Sequence, residues 1–289
     1  MDDEDHFNLA YTSSFTPEQH SNSLTSGNYQ ASNVDKYVET RMHNVTLQYH
    51  SGSGFDVGGD YTHYTSDNNQ TLFADYADGA QSGFSIIGGQ KIDRYSIYVD
   101  RKRSLDLGYG MSYRFAKDRD FQTYDKVTGD IPTENTDSRL REQTANVYVS
   151  LSKNYATGTS VSISATGEYY TIGNYRKWAV YPQASLTYVK SSEHLFQFSL
   201  STDKTYPGYW DMQSSVSHLN GYTELWGTPG LKPSTAYNLN GNYIWKQKYI
   251  FGLFFMHTSD FFVQTGYQST DRLALIYKNT NWNYMQMWG

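Results

Sequence analysis

The chain has 289 residues, no cysteine and a formal net charge of −6, which excludes a disulfide framework and a cysteine-based metal site. With an acidic balance and no basic stripe visible along the sequence, nucleic acid is excluded as a partner. The 28 Tyr against 14 Phe and 6 Trp, at a mean hydropathy of −0.69, suit strands whose rings sit at a polar–apolar boundary better than an aliphatic globular core.

The longest apolar stretch, Ile250 to Met256, is far short of the roughly 18 residues of a transmembrane helix. A barrel strand needs only about 9 to 11 residues to cross and shows lipid every second one, so a low mean hydropathy does not exclude a membrane. Strands are expected from near Phe7. Val45, Leu47 and Tyr49 alternate with polar residues into a Gly52-Ser53-Gly54 hairpin turn, and Phe55, Val57, Gly59 and Tyr61 continue beyond it. The clearest segment runs from Leu105 to Phe115, where Leu105, Leu107, Tyr109, Met111, Tyr113 and Phe115 alternate with Asp106, Gly108, Gly110, Ser112 and Arg114. The same period recurs in Ala145 to Leu151, Val161 to Gly167, Ala184 to Tyr188, Phe196 to Leu200 and Tyr237 to Trp245. The apolar sets predict a lipid face carrying Leu105, Leu107, Tyr109, Met111, Tyr113, Phe115, Val147, Val149, Val161, Ile163, Leu186, Phe198 and Tyr243. Asp106, Arg114, Asn238, Asn240 and Asn242 are expected on the lumen side. About twelve strands follow, ending near Tyr277.

The connections alternate in length. Short turns are expected at Ser51 to Gly54, Arg101 to Ser104, Lys153 to Gly158, Lys190 to Glu193 and Lys246 to Lys248. Long polar loops are expected at Ser14 to Lys36, Ser66 to Gln90, Lys117 to Ser138, Thr171 to Lys177, Asp203 to Pro233 and Ser259 to Asp271. Such asymmetry belongs to barrels with short periplasmic turns and longer extracellular loops. The fold expected is therefore all-β, an antiparallel transmembrane β-barrel localised to the bacterial outer membrane. Outer-membrane lipid is the implied partner. The other readings are a secreted or surface-anchored β-sheet module that binds glycans, and a structural barrel that transports nothing.

Catalytic patterns are weak. The eight histidines form no His-Glu-x-x-His arrangement, and Asp118, Asp120 and Asp125 lack the Gly and terminal Glu of a calcium loop. No catalytic, cofactor-binding or metal residue is assigned, and no enzyme activity is expected. Within Asp203 to Pro233, Tyr206, Tyr209, Trp210, Tyr222 and Trp226 lie among Asp211, Asn220 and Glu224. Those rings can stack on a glycan or peptide, or simply pack the loop against itself.

The stretch Gly227-Thr228-Pro229-Gly230-Leu231-Lys232-Pro233 resembles the Gly-Asn-Pro-x-Leu-x-Pro signature of TonB-dependent receptors common in the Bacteroidetes, with Thr228 in place of the usual Asn. Tyr206-Pro207-Gly208-Tyr209-Trp210 is similar to a Pro-centred motif of the same family, with Tyr206 where a basic residue is frequent. Asn279 to Tyr284 resembles its Asn-aromatic segment that opens a later strand. Pro207, Tyr209, Trp210, Gly227, Pro229, Leu231 and Pro233 carry the match. The resemblance implies a barrel of about 22 strands, a plug domain, TonB coupling, uptake without covalent chemistry and no cofactor. Residues 1–289 would then be part of a single barrel domain, with the plug and remaining strands outside it. The acidic opening Met1 to Asp5 is unlike a secretory leader, and Gly289 stands where that family ends on an aromatic. This segment is accordingly expected to be open between its first and last strands.

Overall fold

The computed structural model describes residues 5–27, 30–103, 106–129, 134–268 and 272–289. Among them a wall of twelve strands forms: β1 (His6–Ser26), β2 (Gln30–Ser51), β3 (Phe55–Tyr76), β4 (Gln81–Arg103), β5 (Leu107–Thr128), β6 (Thr136–Asn154), β7 (Ser160–Ile172), β8 (Tyr175–Ser191), β9 (His194–Thr205), β12 (Ser234–Trp245), β13 (Tyr249–Gln268) and β14 (Leu273–Trp288). Between β9 and β12 lie a four-residue helix, α1 (Tyr209–Met212), and two short strands, β10 (Val216–His218) and β11 (Thr223–Trp226). The wall strands pair antiparallel in chain order.

Register sorts the two faces. Residues directly opposite in a ladder share a face, so a ladder followed across the sheet shows what that face presents. One row runs Phe7–Tyr49–Val57–Val99–Met111–Val147–Gly167–Val180. A second runs Leu107–Leu151–Ile163–Ala184–Leu200–Leu239–Phe255–Met285. The row on the opposite face reads Gln48–Gly58–Tyr98–Ser112–Asn146–Glu168. Val147 is 66% exposed and Met111 58%, so the apolar face is uncovered by the rest of the chain. Sliding β5 by one residue would turn Gly110 and Ser112 into hydrocarbon and Arg114 outward at the edge of the apolar band, where an outward charge costs up to about 1 kcal/mol. The expected outward set shares the apolar face throughout, except Leu105, which lies outside the described residues. Arg114, Asn238, Asn240 and Asn242 share the polar face. Asp106 does not: it occupies the turn before β5 in a left-handed conformation, φ 57°.

The short connections fall after β2, β4, β6, β8 and β12, and antiparallel order puts all five on one rim. Lys246 and Gln247 carry the last, both at positive φ (51° and 55°), with Lys248 N–H donating to the Trp245 carbonyl at 3.1 Å. That is the primed hairpin geometry whose twist matches the strands.

The opposite rim corrects the expected loops. Most of Ser14 to Lys36, Ser66 to Gln90 and Lys117 to Ser138 is paired strand: β2, β3 and β5 have 22 residues each, about 73 Å at 3.3 Å per residue, twice what a bilayer needs. Thr171 to Lys177 contracts to a two-residue turn between β7 and β8. At the other end of the chain β14 runs through Tyr277 to Trp288. Asn279 to Tyr284 therefore lies inside a strand, opposite a bulge in β13 between Thr258 and Phe261. Among the described residues β1 pairs with β2 alone, and β14 pairs with β13 and, over three residues, with β11 in parallel.

Candidate functional site

The segment between β9 and β12 folds over the polar face and is held from two sides of the sheet. On the β2–β5 side, side-chain amides pair with its backbone as a neighbouring strand would. Gln122 donates to the Val216 carbonyl at 2.8 Å and accepts from Val216 N–H at 2.9 Å. Gln70 donates to the His218 carbonyl and accepts from His218 N–H. Tyr76 donates to the Gly221 carbonyl at 2.9 Å, and Gly221 N–H donates to Ser32 Oγ at 3.2 Å. On the other side β11 joins β14 at Thr223 to Leu225, and Thr228 Oγ1 donates to the Tyr277 carbonyl at 2.9 Å. Asn279 repeats the amide device, accepting from Lys232 N–H at 2.9 Å and donating to its carbonyl at 3.0 Å.

Two apolar clusters seat the segment on the sheet: Val34, Leu72, Ala74, Phe84 and Ile86 beside β10, and Tyr170 and Ile172 of β7 together with Met212 of α1 and Leu231 of the segment itself. His218 is buried between Phe84 of the first cluster and Glu224. Its Nε2 lies 2.8 Å from the Tyr124 hydroxyl and its ring edge-on to Phe84 at 4.5 Å. Burial pushes the imidazole down to about 4, so it is neutral at physiological pH, although Glu224 pulls the other way. The Glu224 carboxylate, 3.5 Å from Nδ1, favours the tautomer with its proton there, which leaves Nε2 to accept from Tyr124. Arg272 pairs with the same carboxylate, and Trp226 Nε1–H donates to it at 2.9 Å.

Two further carboxylates hold the start of the segment. Glu168 accepts from Lys204 and from the Tyr206 hydroxyl, and Glu142 accepts from the Tyr209 hydroxyl. The Lys204 ammonium lies 4.4 Å from the Tyr206 ring centre and 4.5 Å from that of Tyr170, a cation–π enclosure that offsets part of its desolvation.

A cleft of 310 Å³ opens beside this segment, lined by Lys36, Asn68, Gln90, Asp120, Ser215 and Trp210 among others. Asp120 is buried and its Oδ1 has no hydrogen-bond partner. Burial raises the Asp120 carboxyl to about 6, with Ser215 opposing, and raises Asp118 one row away to about 7, with Gln90 opposing and Asp120 adding to it. Both stand beyond the apolar band, which ends on β5 at Phe115. The Lys36 ammonium lies 5.8 Å from the Trp210 ring centre.

The five loop aromatics, for which the sequence leaves ligand stacking and loop self-packing both open, do not line one surface. Trp210 alone of the five lines the cleft. Tyr206 and Tyr209 are committed to buried carboxylates, Tyr222 accepts from Gln268 at 2.7 Å, and Trp226 is bound to Glu224. The motif residues set the loop's shape. Leu231 is buried in the second cluster and Pro233 and Pro207 are buried, whereas Pro229 is exposed. A Cβ on Gly227 would lie 2.1 Å from the Gln213 carbonyl oxygen, and Gly230 has φ +93°. The amide tethers and His218 escaped sequence reasoning, because Gln70 and His218 are 148 positions apart. Among the described residues no group of three or more His, Asp or Glu is arranged to hold a metal ion.

A family model described as "Outer membrane protein beta-barrel family" matches residues 50–289. No curated protein matches the chain. Among solved structures the chain is similar to the siderophore receptor PirA from Pseudomonas aeruginosa, at 10% identity over 99% of this chain and 64% of that one, with a TM-score of 0.45. It is similar to the copper transporter OprC at 7% identity, over 98% of this chain and 58% of that one, TM-score 0.47. For the Serratia marcescens hemophore receptor HasR, in complex with its hemophore HasA and heme, the values are 9%, 97%, 56% and 0.45. The chain thus spans less than two thirds of each.

Proposed function

Because the chain belongs to the outer membrane protein beta-barrel family and its place is the outer membrane, we propose that it forms barrel wall of a TonB-dependent receptor that takes up a substrate from outside the cell. The observation that carries this reading is the Asp203 to Pro233 segment, folded over the lumenal face and tethered both to β2–β5 and to β14. A receptor gains a fixed surface on which a ligand rests before it is passed inward.

Under this reading the polar rows at Ser112, Asn146 and Tyr148 face a plug domain, and energy comes from the TonB system. The wall residues perform no covalent chemistry. Trp210 and Asp120 meet the ligand, whose chemistry, glycan or peptide, is set jointly with surfaces outside residues 1–289. A secreted module is disfavoured by the unbroken apolar face, which would be exposed to water.

The full-length protein in a planar bilayer tests this. A plugged receptor gives no steady large conductance, and a photo-crosslinker replacing Ser112 captures a plug in the same polypeptide. A stable open pore with no such crosslink contradicts the reading.

A further inference from the structure

Formal charge across the chain is −6, yet the ladders gather cations on one strip of the apolar face's own side. On β4, β5 and β6 the outward residues change character at the end of the apolar band. On β5, Phe115 is followed by Lys117 and Arg119; on β6, Ala145 and Gln143 by Arg141 and Arg139; on β4, Tyr95 by Asp93 and Lys91. Pairing aligns these into Arg41–Thr65–Lys91–Arg119–Arg139 and His43–His63–Asp93–Lys117–Arg141. Six outward cations stand against one carboxylate in the two rows, and that carboxylate, Asp93, is engaged by His63 at 2.7 Å and Tyr61 at 2.8 Å. Arg119 and Arg139 share Asp137 in the next row, and Arg41 is paired with Glu39. Lys91, Lys117 and Arg141 have no carboxylate within salt-bridge reach among the described residues. All six cations are exposed.

The strip lies on the rim opposite the short turns, directly above the rings of Tyr61, Tyr95 and Phe115, which lie on the same face in consecutive strands. Rings of that kind mark the boundary of the hydrocarbon, and the rim away from the short turns is the extracellular one. Headgroups of the outer leaflet therefore meet these rows. We propose that this strip is a binding surface for the phosphorylated disaccharide headgroup of outer-leaflet glycolipid, with Lys91, Lys117 and Arg141 as its principal phosphate contacts. Guanidinium groups give paired hydrogen bonds to phosphate oxygens, and the ammonium groups act as point charges. The inference rests on the outer-membrane location and the register, and stands apart from the receptor reading.

The full chain, folded in detergent, is titrated with bisphosphorylated lipid A, with its dephosphorylated counterpart and with inorganic phosphate, and binding is followed by native mass spectrometry. Bisphosphorylated lipid A is expected to bind, and the other two to bind at least tenfold more weakly. The double variant Lys117→Glu/Arg141→Glu should lose at least tenfold, and Lys153→Glu, an outward cation near the other rim, less than twofold. If the reversed charges prevent folding, seen as loss of the compact band on an unheated gel, Lys117→Gln/Arg141→Gln decides, with several-fold weakening expected. Equal binding of phosphorylated and dephosphorylated lipid, tight binding of inorganic phosphate alone, or a folded double variant that binds like the wild type overturns the proposal.

Discussion

Replacing Gln122 by Met keeps the length and burial of the side chain and removes both hydrogen bonds that hold β10. The Val216 N–H and carbonyl, at 2.9 and 2.8 Å from the amide, lose their partners beneath the folded segment. A buried backbone group left unsatisfied costs about 1–3 kcal/mol. Two such groups should weaken local docking by roughly 2–6 kcal/mol, which at about 1.4 kcal/mol per tenfold means opening at least some 30-fold more frequent. Hydrogen exchange read by mass spectrometry isolates this, because peptides covering Val216 to His218 should lose protection by that factor. The Lys232 amide, held by Asn279 on the far side, serves as the internal reference and should change little. If exchange at β10 rises less than threefold, the side-chain amides are not what holds the segment.

Gly227→Ala puts a Cβ 2.1 Å from the Gln213 carbonyl oxygen, an overlap worth about 1–3 kcal/mol or more, and protease should cut the Asp203 to Pro233 segment well before the wall. Lys204→Met leaves Glu168 buried and uncompensated, an expected loss of about 3–5 kcal/mol; adding Glu168→Gln should restore much of it in urea unfolding of the refolded protein. Docking should also depend on pH. Asp118 and Asp120, raised by burial to about 7 and about 6, contribute stability that is full below their unfolded value near 4 and is lost as pH rises through 6 and 7. His218, lowered by burial to about 4, contributes stability present above its unfolded value near 6.5 and lost as pH falls towards 4. Between pH 6.5 and 8 the carboxyls dominate, so protease resistance of the segment should fall as pH rises, and Asp118→Asn should flatten that fall.

Alternation of period two carried the wall, because only there does one face differ in polarity from the other. It gave the outward set on β5 to β9, the rim of the short turns, and about twelve strands, which the wall has. It failed where both faces are polar. Asp118, Asp120 and Gln122 point to the lumen while Lys117 and Arg119 point outward, so the strand extension reads as loop. Asn279, Thr280 and Asn281 looked like a break between strands for the same reason, whereas a bulge in β13 absorbs them. The lumenal segment was legible as a Pro- and Gly-punctuated motif, but its partners Gln70, Gln122 and Asn279 carry no local signal. The basic rows were invisible because their members are scattered across strands, and only register brings them together.

Because the chain has no cysteine, single cysteines can be placed from Leu107 to Arg119 and spin-labelled in a reconstituted bilayer. Oxygen, soluble in hydrocarbon, should relax labels at 107, 109, 111, 113 and 115 more strongly than those at 108, 110, 112 and 114. A water-soluble nickel chelate should do the reverse, and outward labels should switch to the chelate at 117 and 119. A flat profile, or greater oxygen accessibility at Ser112 than at Met111, would contradict a lipid-facing wall in this register.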